Sequence, residues 1–202
     1  MNQRAGFVAV VGRPNAGKST FLNFLVGERL AMVSQKANAT RKRMQIIVTH
    51  NESQLVFIDT PGIHEREREL NKFMLEEVLK AISDCDIICF LSPITDSLEH
   101  YERFLELSAS KKHIVFLTKS DTVKDEQTVK KLEEFAPYSD RYLEIMPLNT
   151  KKNFFKDRCI ELIAKHLPHH EFYYDPEEIS TSYVKDIYKE LIREAVFENF
   201  SD

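Results

Sequence analysis

The sequence has no apolar run near the roughly 18 residues that a membrane span requires. Its first residues, MNQRAGFVAVVG, lack the long apolar core of a signal peptide. The expectation is a soluble, cytoplasmic chain. There is no tryptophan, and there are three cysteines, Cys85, Cys89 and Cys159. An odd number without a metal-type C-x-x-C pair argues against a zinc site, and their apolar surroundings read as small buried residues in a reducing compartment. His166, His169 and His170 lie close together but have no second ligand set, so no metal is expected there. Charge of one sign is also lacking. The 28 Lys and Arg against 32 Asp and Glu leave a net −4, which argues neither for nor against nucleic acid, because a local patch can still bind it. Internal repeats and low-complexity segments are absent.

What remains is an ordinary globular composition, 43% hydrophobic and 30% charged over 202 residues. That length suits one full domain plus a fragment. Apolar runs alternate with helical patterns, the signature of an α/β fold around a mostly parallel sheet. Strands are expected at 6–11, 43–50, 54–58, 86–91, 113–117 and 142–146. The second and third, joined by the turn-like His50–Ser53, suit an antiparallel pair. Helices are expected at 18–26, 73–82, 97–110, 124–135 and 153–166. Residues 31–42 read as a polar loop and 63–72 as a charged loop entering a helix. Pro168 ends the last of these helices. Residues 168–182 have two prolines and no period, and read as a linker. An amphipathic helix follows at 183–199, its stripe of Val184, Ile187, Tyr188, Leu191, Ile192, Ala195 and Val196 requiring a partner surface.

Gly12-Arg13-Pro14-Asn15-Ala16-Gly17-Lys18-Ser19 fits G-x-x-x-x-G-K-[ST] at every fixed position, with a buried strand before it and a helix after it. Glycines let the backbone turn tightly and aim N–H groups at a phosphate, and the helix N-terminus adds partial positive charge. In such a loop Asn15, Ala16, Gly17, Lys18, Ser19 and Thr20 form the cradle, Lys18 reaching the β and γ phosphates and Ser19 ligating Mg²⁺. Asp59-Thr60-Pro61-Gly62 follows a strand end. Alone it would read as a turn. Beside a P-loop, Asp59 stands where a carboxylate holds Mg²⁺ directly or through water.

Thr118-Lys119-Ser120-Asp121 follows the strand 113–117 and resembles the [NT]-K-x-D guanine motif of translation-factor-type GTPases. The resemblance implies that Asp121 accepts hydrogen bonds from the guanine ring N–H and amino group, a pair of donors adenine cannot offer, while the stem of Lys119 covers the base. Thr118 stands where Asn is usual. Asn149, Thr150 and Lys151 occupy the place of a Ser-Ala-Lys segment whose backbone touches the guanine oxygen, with Asn and Thr replacing Ser and Ala. Ala37-Asn38-Ala39-Thr40-Arg41 resembles a switch I segment in which Thr40 closes on Mg²⁺ and the γ phosphate.

The stretches V-V-G-R-P-N-A-G-K-S-T-F-L-N, K-A-N-A-T-R-K-R and I-D-T-P-G-I-H, with the ending H-L-P…Y-Y-D-P-E-E-I-S, resemble the Era family of bacterial ribosome-assembly GTPases. The resemblance covers nearly all of the sequence. It implies a P-loop NTPase: a mostly parallel six-stranded sheet with helices on both faces, followed by a C-terminal helix. It implies a GTPase domain at 1–167, a linker at 168–182 and, at 183–202, the first helix of a truncated KH RNA-binding domain whose strands and G-x-x-G loop are expected after residue 202.

The expected function is a GTP-binding, GTP-hydrolysing switch in small ribosomal subunit assembly and 16S rRNA maturation. Lys18, Thr40 and Gly62 would serve the reacting phosphate, and Ser19, Thr40 and Asp59 the magnesium. A monomer is expected, with peripheral association at the inner membrane as an additional location. Ile63 stands where many GTPases have a water-orienting Gln, so slow intrinsic turnover is expected. In related families with P-N-x-G-K-S, the Asn helps bind potassium, which makes Asn15 a candidate for the same task. Arg41, Lys42 and Arg43 form a short basic run that reads first as a solvated face. The alternative function is a nucleotide-dependent ribosome- or partner-binding module with negligible hydrolysis. An ATPase or nucleotide kinase is disfavoured by Lys119 and Asp121.

Overall fold

The computed structural model describes residues 3–27, 44–59, 68–108 and 110–180. The expectations for the switch I segment 37–41, the basic run 41–43, Gly62, Ile63 and the helix 183–199 lie outside the described residues. Six strands, β1 (Arg4–Val11), β2 (Met44–His50), β3 (Ser53–Asp59), β4 (Ile87–Pro93), β5 (His113–Thr118) and β6 (Glu144–Pro147), form one sheet in the order β2-β3-β1-β4-β5-β6. All neighbours run parallel except β2 and β3, which are antiparallel with His50 opposite Ser53. Among the described residues, α1 (Lys18–Val26), α2 (Arg68–Asp84), α3 (Glu99–Leu107) and α4 (Asp125–Phe135) lie between strands, and α5 (Phe154–Ala164) follows β6.

Side-chain alternation along β1 explains the three layers. Val8 and Val10 pack on one face with Phe21, Leu22 and Leu25 of α1 and Ile160 and Ile163 of α5. Ala9 and Val11 point to the other, against Val78, Ala81 and Ile82 of α2, Tyr101 and Phe104 of α3 and Phe135 of α4. Helices therefore cover both faces, and β4 and β5 are buried at every position, the expected state of inner parallel strands. Phe21 and Phe116, fully buried with ring centroids 5.0 Å apart, are each worth about 1.5–3 kcal/mol through burial alone.

The topology positions the site. From β1 the chain builds β2 and β3 on one side, then crosses to build β4, β5 and β6 on the other. The carboxyl end of β1 is thus a topological switch point, where crossovers diverge and leave a crevice. The Gly12 loop begins there.

Residues 168–180, the described part of the segment 168–182 read from the sequence as a linker, lie along the sheet. His169 bridges Arg4 and Ser180 bridges Ile46, both antiparallel. Between them, the fully buried amide of Gln54 on β3 binds the strap on both sides. Its oxygen accepts from the N–H groups of Tyr173 and Tyr174 at 2.8 and 3.0 Å, and its nitrogen donates to the Tyr174 carbonyl at 2.9 Å.

Candidate functional site

Gly12 is fixed by close packing: a Cβ there would lie 2.6 Å from the Leu91 carbonyl oxygen on β4, nearer than a side chain can approach. The backbone then takes left-handed φ values at Asn15 (60°) and Gly17 (96°), the alternation that gathers N–H groups around an anion. Gly17 caps α1 through its backbone, and the first turn of the helix holds no acidic residue. Its positive end is left open to an external anion. Lys18 is buried, its Nζ donating to the carbonyls of Gly12 at 3.2 Å and Arg13 at 3.0 Å. Both carbonyls hold the ammonium at the loop. Ser19 and Thr20 follow in the first turn of α1. Asp59 ends β3 with Val10 as its register partner, which brings its backbone to the same sheet end as the loop. Of Asp59 only the backbone is described, and Thr40 and Gly62 lie outside the described residues.

The base side is built by two loops. Thr118, the last residue of β5, donates its hydroxyl to the Ala16 carbonyl at 2.7 Å. The Thr that departs from the usual Asn thus ties the base loop directly to the phosphate loop. Lys119 adopts a left-handed backbone (φ 59°), and its carbonyl accepts from the Thr122 hydroxyl at 2.7 Å. The second loop joins the first where the N–H of Ser120 donates to the Leu148 carbonyl at 3.3 Å. Asn149 accepts the Lys151 N–H at 2.9 Å and shapes that turn, with Thr150 between them. Lys151 then reaches Asp121, its Nζ 2.5 Å from the carboxylate. That hydrogen bond holds the Asp121 carboxyl below its ordinary value.

The structure brings Asn15 to Thr20, Thr118, Lys119, Asp121 and Asn149 to Lys151 together at the carboxyl ends of β1, β5 and β6. Sequence reasoning missed two members of the setting. Asp96, in the turn after β4, takes the guanidinium of Arg13 as a fork, and Lys131 of α4 donates to the Asp96 carbonyl at 2.7 Å. Neither carries a signal in a single sequence, since 83 positions separate Arg13 from Asp96.

Comparison with known proteins agrees with this geometry. Residues 7–119 match the family model described as 50S ribosome-binding GTPase. The chain is 43% identical over 199 residues to GTPase Era of Campylobacter fetus subsp. fetus, covering 98% of this chain and 69% of that protein. It is 46% identical over 198 residues to GTPase Era of Campylobacter hominis, with 98% and 68% covered. The chain belongs to the Era family of GTPases. Among solved structures, Era in complex with MgGDPNP and nucleotides 1506–1542 of 16S ribosomal RNA superposes with a TM-score of 0.92 at 28% identity, over 100% of this chain and 69% of that one. An Aquifex aeolicus Era variant bound to GDP and AlF4⁻ gives 0.91 at 28% identity, over 99% and 69%. As a family member this chain is a GTP hydrolase built on the P-loop α/β fold.

Proposed function

We propose that this chain is the nucleotide-binding part of a GTP-hydrolysing switch in small ribosomal subunit assembly and 16S rRNA maturation, acting in the cytoplasm. The observation that carries the reading is the meeting of an open helix N-terminus, a buried Lys18 and the Asp121 carboxylate at one end of one sheet. An Era neighbour crystallised with MgGDPNP and a 16S rRNA segment supports the same pairing of nucleotide and RNA for this chain. In this reading residues 1–167 are the GTPase domain, 168–182 the linker and 183–202 the start of a KH domain.

The loop N–H groups from Asn15 to Thr20 hold the phosphates, and Lys18 exchanges its two carbonyl partners for β and γ oxygens. Ser19, Asp59 and Thr40 would supply hard oxygen donors of the kind that suit Mg²⁺, and Ser19 sits in the first turn of α1, next to the loop. The ion, when bound, supplies charge neutralisation at the phosphates. Asp121 accepts from the guanine ring N–H and amino group, Lys119 covers the base, and the backbone of Asn149–Lys151 faces the guanine oxygen. Gly62 would serve the reacting phosphate in this reading.

An apolar Ile63 cannot orient water by hydrogen bonding, so unaided turnover is slow. In this reading Asn15, left-handed and exposed in the loop, helps hold a potassium ion beside the phosphates. The same Ile63 favours a second reading, a nucleotide-dependent binding module with negligible hydrolysis. Single-turnover GTP hydrolysis, with and without small ribosomal subunits and in potassium and in sodium buffer, separates them. A rate raised by subunits and by potassium supports the switch. No hydrolysis in any of the four conditions leaves the binding module, and equal rates in the two salts remove potassium from the reading.

A further inference from the structure

We infer that Arg13 and Asp96 form a clamp that holds the leading arm of the phosphate loop in its anion-accepting shape, making both of them positioning residues for nucleotide retention. The inference rests on the reading of Gly12–Thr20 as the phosphate site.

Arg13 works in two directions. Its carbonyl accepts from Lys18 Nζ at 3.0 Å and from the Ala16 N–H at 3.2 Å, so it sets both the height of the ammonium and the tightness of the turn. Its side chain points away from those contacts, with Nε and one terminal nitrogen forked on the two oxygens of Asp96 and the other terminal nitrogen on the Pro14 carbonyl at 2.9 Å. A bidentate guanidinium–carboxylate pair fixes orientation as well as distance. The Asp96 side chain is only 7% exposed, which shields the carboxylate side of the pair from water and salt.

Asp96 is itself immobilised. Its N–H donates to the Pro93 carbonyl at 2.9 Å, and the neighbouring Ile94 N–H donates to the Thr118 carbonyl at 2.9 Å. Its own carbonyl accepts from the buried Lys131 of α4 at 2.7 Å. The anchor for the loop is thus tied to the end of β5 and to the helix that follows the base motif. Without it, the arm from Arg13 to Asn15 loses the tether that the Arg13 side chain makes to the turn after β4. The fork also commits the Arg13 guanidinium to Asp96, leaving Lys18 as the loop's own cation for the phosphates.

The test uses the whole chain with Arg13→Gln, Arg13→Lys, Asp96→Ala and the double variant Arg13→Gln/Asp96→Ala. The readouts are release of a fluorescent GDP analogue, single-turnover hydrolysis at saturating GTP, GTP-over-ATP preference and thermal unfolding. The clamp predicts release faster by about tenfold in each single variant, the size of one lost charge-assisted fork. The double variant should be no worse than either single one, because the two residues act as a unit. Hydrolysis at saturation should fall less than release rises, and base preference should hold. Arg13→Lys, which keeps charge without the fork, should release nearly as fast as Arg13→Gln.

Three results overturn it. Additive effects in the double variant would mean the residues act separately. A collapse of hydrolysis in Arg13→Gln but not in Asp96→Ala would make Arg13 a phosphate-contacting group. Unchanged release beside a lowered unfolding temperature would leave a structural pair only. The wild-type chain separates the two levels: failure of the unaltered protein to bind the GDP analogue sinks the phosphate-site reading itself, whereas normal wild-type binding with unaltered variants sinks the clamp alone.

Discussion

At the phosphate end of the site, Gly12, Ala16 and Lys18 are buried, the loop is shaped by backbone geometry, and two side-chain tethers reach it from Thr118 and Asp96. At the base end, Lys119 and Lys151 are exposed, and the recognition we propose is concentrated in the single carboxylate of Asp121, held by an ion pair at the rim. The two ends should fail differently. Binding spread over many N–H groups loses strength gradually, because each donor remains when a neighbour is altered. Selectivity resting on one acceptor is lost in one step. A P-loop thus supplies grip that many nucleotides could use, and the more exposed rim decides which base is kept.

The most severe test of that contrast is Asp121→Ala. In the proposed site it would remove two charge-assisted hydrogen bonds worth about 1.5–3 kcal/mol each, so GTP-over-ATP preference should fall on the order of 10²- to 10⁴-fold in competition against a fluorescent GDP analogue. A preference that stays within tenfold of the wild type would place discrimination elsewhere. Lys18→Ala is next. The loop N–H groups remain, so some binding should persist while single-turnover hydrolysis falls on the order of 10²- to 10³-fold, the usual cost of removing one preorganised donor to developing charge. Complete loss of nucleotide binding would show that the phosphate end depends on one group as the base end does.

The sequence made these two ends unequally legible. Gly12 to Ser19 is a local pattern flanked by a strand and a helix, so both loop and fold could be read from spacing and from the alternation of apolar runs with helical patterns. Strand and helix ends shifted by a few residues: β6 runs Glu144–Pro147 where 142–146 was expected, and α2 begins at Arg68, five residues before the expected 73. The contacts that join distant segments had no such pattern. Thr118 looked only like a departure from Asn, and its hydroxyl bond to Ala16 spans 102 positions. The strap at 168–180 has prolines and no period, and its order comes from Gln54, 119 and 120 positions away from Tyr173 and Tyr174. Periodicity reports which face is buried. It cannot report which buried amide finds which carbonyl.

Thr118→Val probes the joint between the two ends. The shape is kept, but the Ala16 carbonyl loses its buried hydroxyl donor, at a cost of about 1–3 kcal/mol. Thermal unfolding should fall by several degrees in a chain of this size, and nucleotide release should quicken with GTP-over-ATP preference retained. A change in base preference without a change in release would mean that Thr118 serves the base alone.

The smallest effect is expected from Lys151→Met. The Lys151 side chain is 78% exposed, and an exposed ion pair is worth about 0.2–1 kcal/mol. Its contribution to stability should shrink further as salt is raised. The sign with pH follows from Asp121, whose folded pKa lies below its ordinary 3.8 because of Lys151. The pair stabilises the fold fully above that ordinary value and loses its contribution as pH falls through the lowered one. The stability difference between wild type and Lys151→Met should therefore be flat across neutral pH and close only in strong acid. Replacing Lys151 also frees Asp121 for the base while removing an alkyl chain beside it, two opposed changes that should leave GDP affinity within about threefold, the scale of an exposed pair. A tenfold change in either direction, insensitive to salt, would show that the rim is as tightly built as the phosphate loop, and the contrast between the two ends would fail.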